Sequence, residues 1–208
     1  MRTSKPHKKK LQGAETKKKL YESATKLFLQ HDFSNVAVED ITDAVGVTKG
    51  TFYVHFASKD ALIAEFIADY AKRTDWDYKM FLDALPSDKS ASERLIALIE
   101  KISDVLVGTI GYHNMCKVYQ IMLTGSVETE AVKGYGRMLY GLFHDILDQG
   151  IQSGEFKTAM SLDMLTRLCV TAIRGVCFDW CIRSPTQDLK EEAIAHFNLL
   201  LAGITSTK

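Results

Sequence analysis

Only three prolines interrupt the 208 residues, at Pro6, Pro86 and Pro185, so long stretches carry no strong helix breaker. Nowhere does a period-two alternation of apolar and polar residues persist, which argues against a sheet. No run of about 18 apolar residues occurs either. The best candidate, around residues 165–182, is interrupted by Arg167, Arg174 and Asp179. No apolar h-region follows the basic start, so no secretory signal is read. The four cysteines, Cys116, Cys169, Cys177 and Cys181, contain no CxxC pair. The chain reads as cytoplasmic with reduced thiols. GxSxG, P-loop, HExxH and dinucleotide glycine fingerprints are missing, and no enzymatic activity or cofactor is expected.

What is present is an apolar share of 46%, enough for a core, and a charge that sums to zero but is unevenly spread. Residues 1–20 hold eight Lys and Arg against Glu15 alone. Residues 1–59 carry +5 and the remainder −5. A basic head on an acidic body points to a polyanionic partner for the head, although a solvated Lys-rich tail gives the same composition.

Residues 1–13 read as a flexible basic tail. A helix is expected over 15–31, with Leu20, Ala24, Leu27 and Phe28 on one stripe. Val38, Ile41 and Val45 mark two further turns that end at Gly46, a residue free to take the left-handed conformation. Thr48 can cap a short helix over 49–55, and Ser58 a long one running towards Leu82. Two short helices joined by a Gly-containing turn form a helix-turn-helix. Longer helices are expected over 91–108, 115–124, 127–152, 161–183 and 187–204. The fold class is all-α: a three-helix DNA-binding domain over 14–60, then a helical effector-binding and dimerisation domain over 61–208, about nine helices in all.

The segment "VTKGTFYVHFASKD" (47–60) crowds aromatic rings, lysines and a glycine into one short stretch. As the second helix of a helix-turn-helix it would lie in the major groove with its N-terminal residues at the base edges. Thr48 and Lys49 would stand at the helix N-terminus, where free N–H groups favour a phosphate. Gly50 would let the backbone come close, and Thr51 offers a methyl to thymine or a hydroxyl to phosphate. Tyr53, His55 and Lys59 would meet the DNA backbone, with Phe52 and Phe56 turned into the core.

"VEDITDAVGVTKGTFYVHFASKDALIAEFI" (38–67) resembles the DNA-binding signature of the TetR family of bacterial transcriptional regulators, through Gly46, Val47, Thr48, Gly50, Thr51, Tyr53, Phe56, Ser58, Lys59 and Leu62. The likeness extends back through "TKKKLYESATKLFLQHDF" and covers about fifty residues; the body matches only in length and helix number. Ala37 departs from the pattern, standing where the family usually has a capping Thr or Ser. The resemblance implies a homodimer through helices of about 161–183 and 187–204, a double-stranded inverted-repeat operator, an effector pocket in each body, and repression relieved by a ligand. Two-sided apolar patterning in 161–183 agrees with a dimer: Leu165 and Cys169 mark one face, Met164, Leu168, Gly175 and Phe178 another. A central core helix would show the same pattern.

Tyr112, His113, Cys116, Tyr119, Met122, Phe143, Arg174 and Phe178 are the candidate effector residues, a stock of rings and sulfur suited to an apolar or aromatic small molecule. Ordinary core packing uses the same residue types. Arg174 needs a partner on so apolar a helix, either a carboxylate elsewhere in the dimer or an anionic ligand. A metal-responsive alternative rests on His113 with Cys116 and Cys177 with Cys181, each pair on one helical face. A helical adaptor whose basic head meets acidic partners would leave Gly50, Thr51 and Tyr53 without a purpose.

Overall fold

The computed structural model describes residues 5–125, 127–183 and 186–205. Among them every regular element is a helix, and an isolated antiparallel bridge joins Phe156 and Thr205. No helix among the described residues is long and apolar enough to cross a membrane. Two compact units emerge: one runs up to Ala68 and takes in Gln120–Thr129, the other comprises Asp69–Tyr119 and the chain from Glu130 onward.

In the first unit, α1 (Lys5–Phe28) begins ten residues before its expected start. Most of the expected tail is therefore helical; residues 1–4 lie outside the described residues. Lys, Gln, Ala and Glu propagate a helix without an apolar stripe, and Pro6 falls in the first turn, where its missing N–H costs nothing. Leu20, Ala24 and Phe28 face inward. Phe28, Phe33 and Phe66 meet edge to face at 5.0–5.8 Å and form the centre of this small core with Ile41, Phe52 and Leu62. α2 (Val38–Asp43) and α3 (Lys49–His55) follow, then α4 (Lys59–Asp83), one continuous helix that ends in the second unit.

The second unit packs α5 (Ala91–Val105), α8 (Met138–Gln152), α9 (Leu162–Arg183) and α10 (Leu189–Ala202) around Leu98, Ile99, Phe143, Leu147, Ile173 and Phe197. Ser90 and Glu93 close a capping box on α5, and the Glu155 carboxylate, from the turn after α8, accepts from the Ala91 and Ser92 N–H groups at 2.8 and 2.9 Å. Beyond Val105 the helix loosens into a π turn that closes at Gly111 (φ +80°), before α6 (Tyr112–Thr124).

The helix expected over 127–152 is broken. A single turn, α7 (Glu130–Lys133), is followed by "GYGR" before α8 begins. Two glycines weaken the helix there, and a tertiary contact holds the junction open. Asp75 of α4, almost wholly buried, accepts from the Arg137 guanidinium and from the Leu139 N–H at 3.2 Å.

Candidate nucleic-acid interface and effector region

The turn between α2 and α3 is built from local signals. Gly46 adopts φ +74°, a left-handed conformation that any side chain would strain. Thr48 caps α3: its hydroxyl accepts from the Thr51 N–H at 3.2 Å and lies 3.0 Å from the Thr51 hydroxyl. Both threonine hydroxyls are thus turned to the helix N-terminus. Ala37 offers no cap oxygen to α2, and the Asp40 carboxylate supplies the reciprocal bond, accepting from the Ala37 N–H at 2.7 Å. Ser58 accepts from the Ala61 N–H and starts α4.

Phe52 and Phe56 are buried, as their spacing requires. That orientation puts Lys49, Gly50, Tyr53 and Val54 on the open side of α3. Tyr53 is 49% exposed and Val54 78%. Val54 is absent from the sequence-derived site; a lone valine carries no polar signal, and only the register of the two phenylalanines reveals its outward face. His55 is half-buried, its ring 3.9 Å from the position a Cβ at Gly13 would occupy on α1.

Two lysines are engaged in ways the sequence does not foretell. The Lys49 ammonium meets the Glu39 carboxylate of α2 at 2.5 Å, an exposed ion pair that lowers the Glu39 pKa and raises that of Lys49, chiefly through this hydrogen bond. Lys59, expected to meet a phosphate, donates at 2.9 Å in the free protein to the carbonyls of both Phe33 and Val36. It fastens the short turn of 3₁₀ helix (Phe33–Asn35) that leads into α2.

In the second unit, α6 and α9 bring several expected effector residues together. The Tyr112 hydroxyl donates to the Cys181 carbonyl at 3.0 Å, and the Cys116 sulfur lies 3.5 Å from the same oxygen. Tyr112 stands edge-on to Trp180 at 5.2 Å, whose buried indole N–H has no acceptor among the described residues. Tyr119 donates to the Arg174 carbonyl at 2.9 Å and meets the Phe178 ring at 5.4 Å. His113 lies outward on α6, its ring 5.3 Å from Tyr112. Met122 falls within the stretch of α6 that belongs to the first unit. Phe143 is fully buried against Phe197 at 6.2 Å, its ring contact among the described residues, and serves the core.

Burial pushes Cys177 up to about 12, and burial with Cys116 alongside pushes Cys181 up to about 12, so both hold their protons at neutral pH. Among the described residues no group of three His, Cys, Asp or Glu is placed to hold a metal ion.

Residues 20–66 match the family described as bacterial regulatory proteins, tetR family. The fatty acid metabolism regulator protein of Bacillus subtilis is 27% identical over 195 residues, covering 89% of this chain and 93% of that protein. The HTH-type transcriptional repressor KstR2 of Mycobacterium tuberculosis is 25% identical over 189 residues, covering 89% and 91%. Among solved structures, the transcriptional regulator FadR from Bacillus subtilis in complex with stearoyl-CoA superposes with a TM-score of 0.66 at 21% identity, over 89% of this chain and 98% of that one.

Proposed function

We propose, from the premise that this chain belongs to the TetR family of bacterial regulatory proteins, that it is a ligand-relieved repressor binding an inverted-repeat operator as a homodimer. Its class, a DNA-binding transcriptional regulator and not an enzyme, is that of its relatives. The observation that carries the finer reading is the register of α3. Two buried rings turn Lys49, Gly50, Tyr53 and Val54 outward from one rigid helix. In the proposed complex Thr48, Thr51 and His55 add phosphate contacts, Val54 offers an apolar surface to a thymine methyl, and Lys59 positions the preceding turn.

Dimerisation is supported by the outer face of α9. Met164, Leu168 and Ile182 are exposed along one stripe, with Thr171 and the small Gly175 between them. A second copy would bury it, with α10 contributing Leu199, which is also exposed. Half-sites would then lie about one helical turn apart, ~34 Å. An effector in the body can act only by favouring one head spacing over another. The relative crystallised with stearoyl-CoA makes long-chain acyl thioesters the first effectors to try.

The test is selection of operator DNA from a random library, followed by sedimentation and binding of Leu168→Glu. The selected sequences should be inverted repeats, and the variant should become monomeric and lose most of its operator affinity. A monomeric wild type, or asymmetric selected sites, would overturn the paired-head reading. Release of the operator by stearoyl-CoA would identify the effector class.

A further inference from the structure

Around Tyr135 the second unit gathers three arginines. Arg167 and Arg174, two turns apart on α9, place their guanidinium carbons 5.1 and 5.7 Å from the centre of this one ring. Arg137, two residues further along the chain from Tyr135, is close enough for its charge to act on Arg174. Arg137 is consumed by Asp75, and Arg167 pairs with Asp163 at 3.3 Å. Arg174 is the odd cation: no carboxylate among the described residues forms an ion pair with it, and Glu130 acts on it only weakly. The Asp179 carboxylate, the nearest candidate in sequence, is taken by Arg183 at 2.8 Å.

Arg174 is also half-buried, and burial, with Tyr135 opposing and the Arg137 charge adding, leaves its pKa below the ordinary guanidinium value. A partly desolvated cation without a counter-ion is unfavourable unless something else supplies one. Its surroundings specify what that would be. Tyr119, bonded to the Arg174 carbonyl, and Phe178, one helical turn along α9, form an aromatic wall on one side. Tyr135 forms another. A planar guanidinium presents paired N–H groups that match an oxyanion, and rings beside it suit a hydrocarbon.

We propose that Arg174 is the receptor for an oxyanion carried at one end of an apolar effector, with Tyr119, Tyr135 and Phe178 flanking the body of that molecule. This rests on the effector-binding reading above and narrows its ligand to an amphipathic anion.

Four probes at pH 7.5 separate the possibilities: dodecanoate, dodecyl phosphate, dodecanol and inorganic phosphate, each titrated by calorimetry against the full chain. Dodecanoate or dodecyl phosphate should bind about tenfold or more tightly than dodecanol, as a charge-assisted bond requires. Whichever of the two is preferred identifies the oxyanion as carboxylate or phosphate. Arg174→Met should abolish the preference and Arg174→Lys should retain part of it. The unliganded Arg174→Met protein should melt no lower than wild type, since the substitution removes an uncompensated charge. Equal binding of dodecanoate, dodecyl phosphate and dodecanol would overturn the oxyanion receptor and leave the apolar effector reading standing. Failure of all four probes would overturn the oxyanion receptor, and release of the operator by stearoyl-CoA decides the effector reading separately. Dissociation of an Arg174→Met dimer would also overturn the proposal, by assigning the counter-ion of Arg174 to a second copy.

Discussion

Arg137 grips Asp75 with two nearly parallel hydrogen bonds, Nη2 to Oδ1 at 2.6 Å and Nε to Oδ2 at 2.8 Å, across 62 residues of sequence. Asp75 is 1% exposed, so α4 is latched to the start of α8 by a desolvated ion pair. Removing one partner strands the other charge. Arg137→Leu should destabilise the protein by about 3–5 kcal/mol, whereas the double variant Asp75→Leu/Arg137→Leu should recover much of that loss. Chemical denaturation of Asp75→Leu, Arg137→Leu and the double variant checks the non-additivity; equal and additive losses would mean the pair is hydrated and contributes little.

Gly150 lies where α8 meets the chain that turns back after it. A Cβ there would fall 2.1 Å from the Phe156 ring, and the Phe156 N–H donates to the Gly150 carbonyl at 2.9 Å. Gly150→Ala should therefore cost about 1–3 kcal/mol by overpacking, although alanine is the better helix former. Combining it with Phe156→Leu should cost less than the sum of the two single changes. A Gly150→Ala protein as stable as wild type would show that the ring moves freely aside.

Glu155 predicts a pH dependence. Burial raises its pKa, but the bonds from Ser92 and the Ala91 N–H outweigh this and hold it below the usual carboxylate value of 4.5. Its contribution is therefore present above that value and disappears as pH falls through the lower, folded-state pKa. The melting temperature of Glu155→Gln should lie below wild type at pH 7, and the gap should close under acid. A gap independent of pH would assign the loss to packing.

These features show what was legible in the sequence. Gly46, Thr48 and Ser58 act on residues within three or four positions, so the helix-turn-helix could be placed from spacing alone. The inward register of Phe52 and Phe56 was readable for the same reason. The break at 134–137 was not, because its partner Asp75 lies on another helix, and two glycines alone are compatible with a continuous α8. The early start of α1 was hidden by a Lys-rich stretch with no apolar period. For the effector region, aromatic composition singled out Tyr112, Tyr119 and Phe143 alike. Packing separates them: the first two bond carbonyls of α9, and the third fills the core against Phe197.

Lys59 can be assigned by separating stability from DNA affinity. Its ammonium satisfies two carbonyls of the 33–36 turn, so Lys59→Met should lower the stability of the first unit by about 1.5–3 kcal/mol, the range for bonds to a charged donor. DNA affinity should fall for all sequences alike, because the loss acts through the position of α2 and not through a base. Weakened DNA binding with an unchanged melting profile would return Lys59 to the role of a direct phosphate contact.

The Lys49–Glu39 pair makes the opposite kind of prediction, a gain. The lysine stands at the N-terminus of the proposed recognition helix, yet in the free protein its charge is shared with a carboxylate on α2. Both groups are exposed, so the pair adds little to stability, but it must be broken or shared when a phosphate approaches. Glu39→Gln should therefore strengthen binding to non-specific DNA and steepen the salt dependence by roughly one phosphate, about 0.9 in the logarithmic slope. Lys49→Ala should flatten the slope by a similar amount and, if the lysine also reaches a base, alter the preferred operator. Titration of both variants against random and selected duplexes at several salt concentrations resolves the two roles. A Glu39→Gln protein with wild-type affinity and slope would mean that Lys49 keeps its carboxylate partner on DNA, and that α3 is held to α2 by this pair throughout binding.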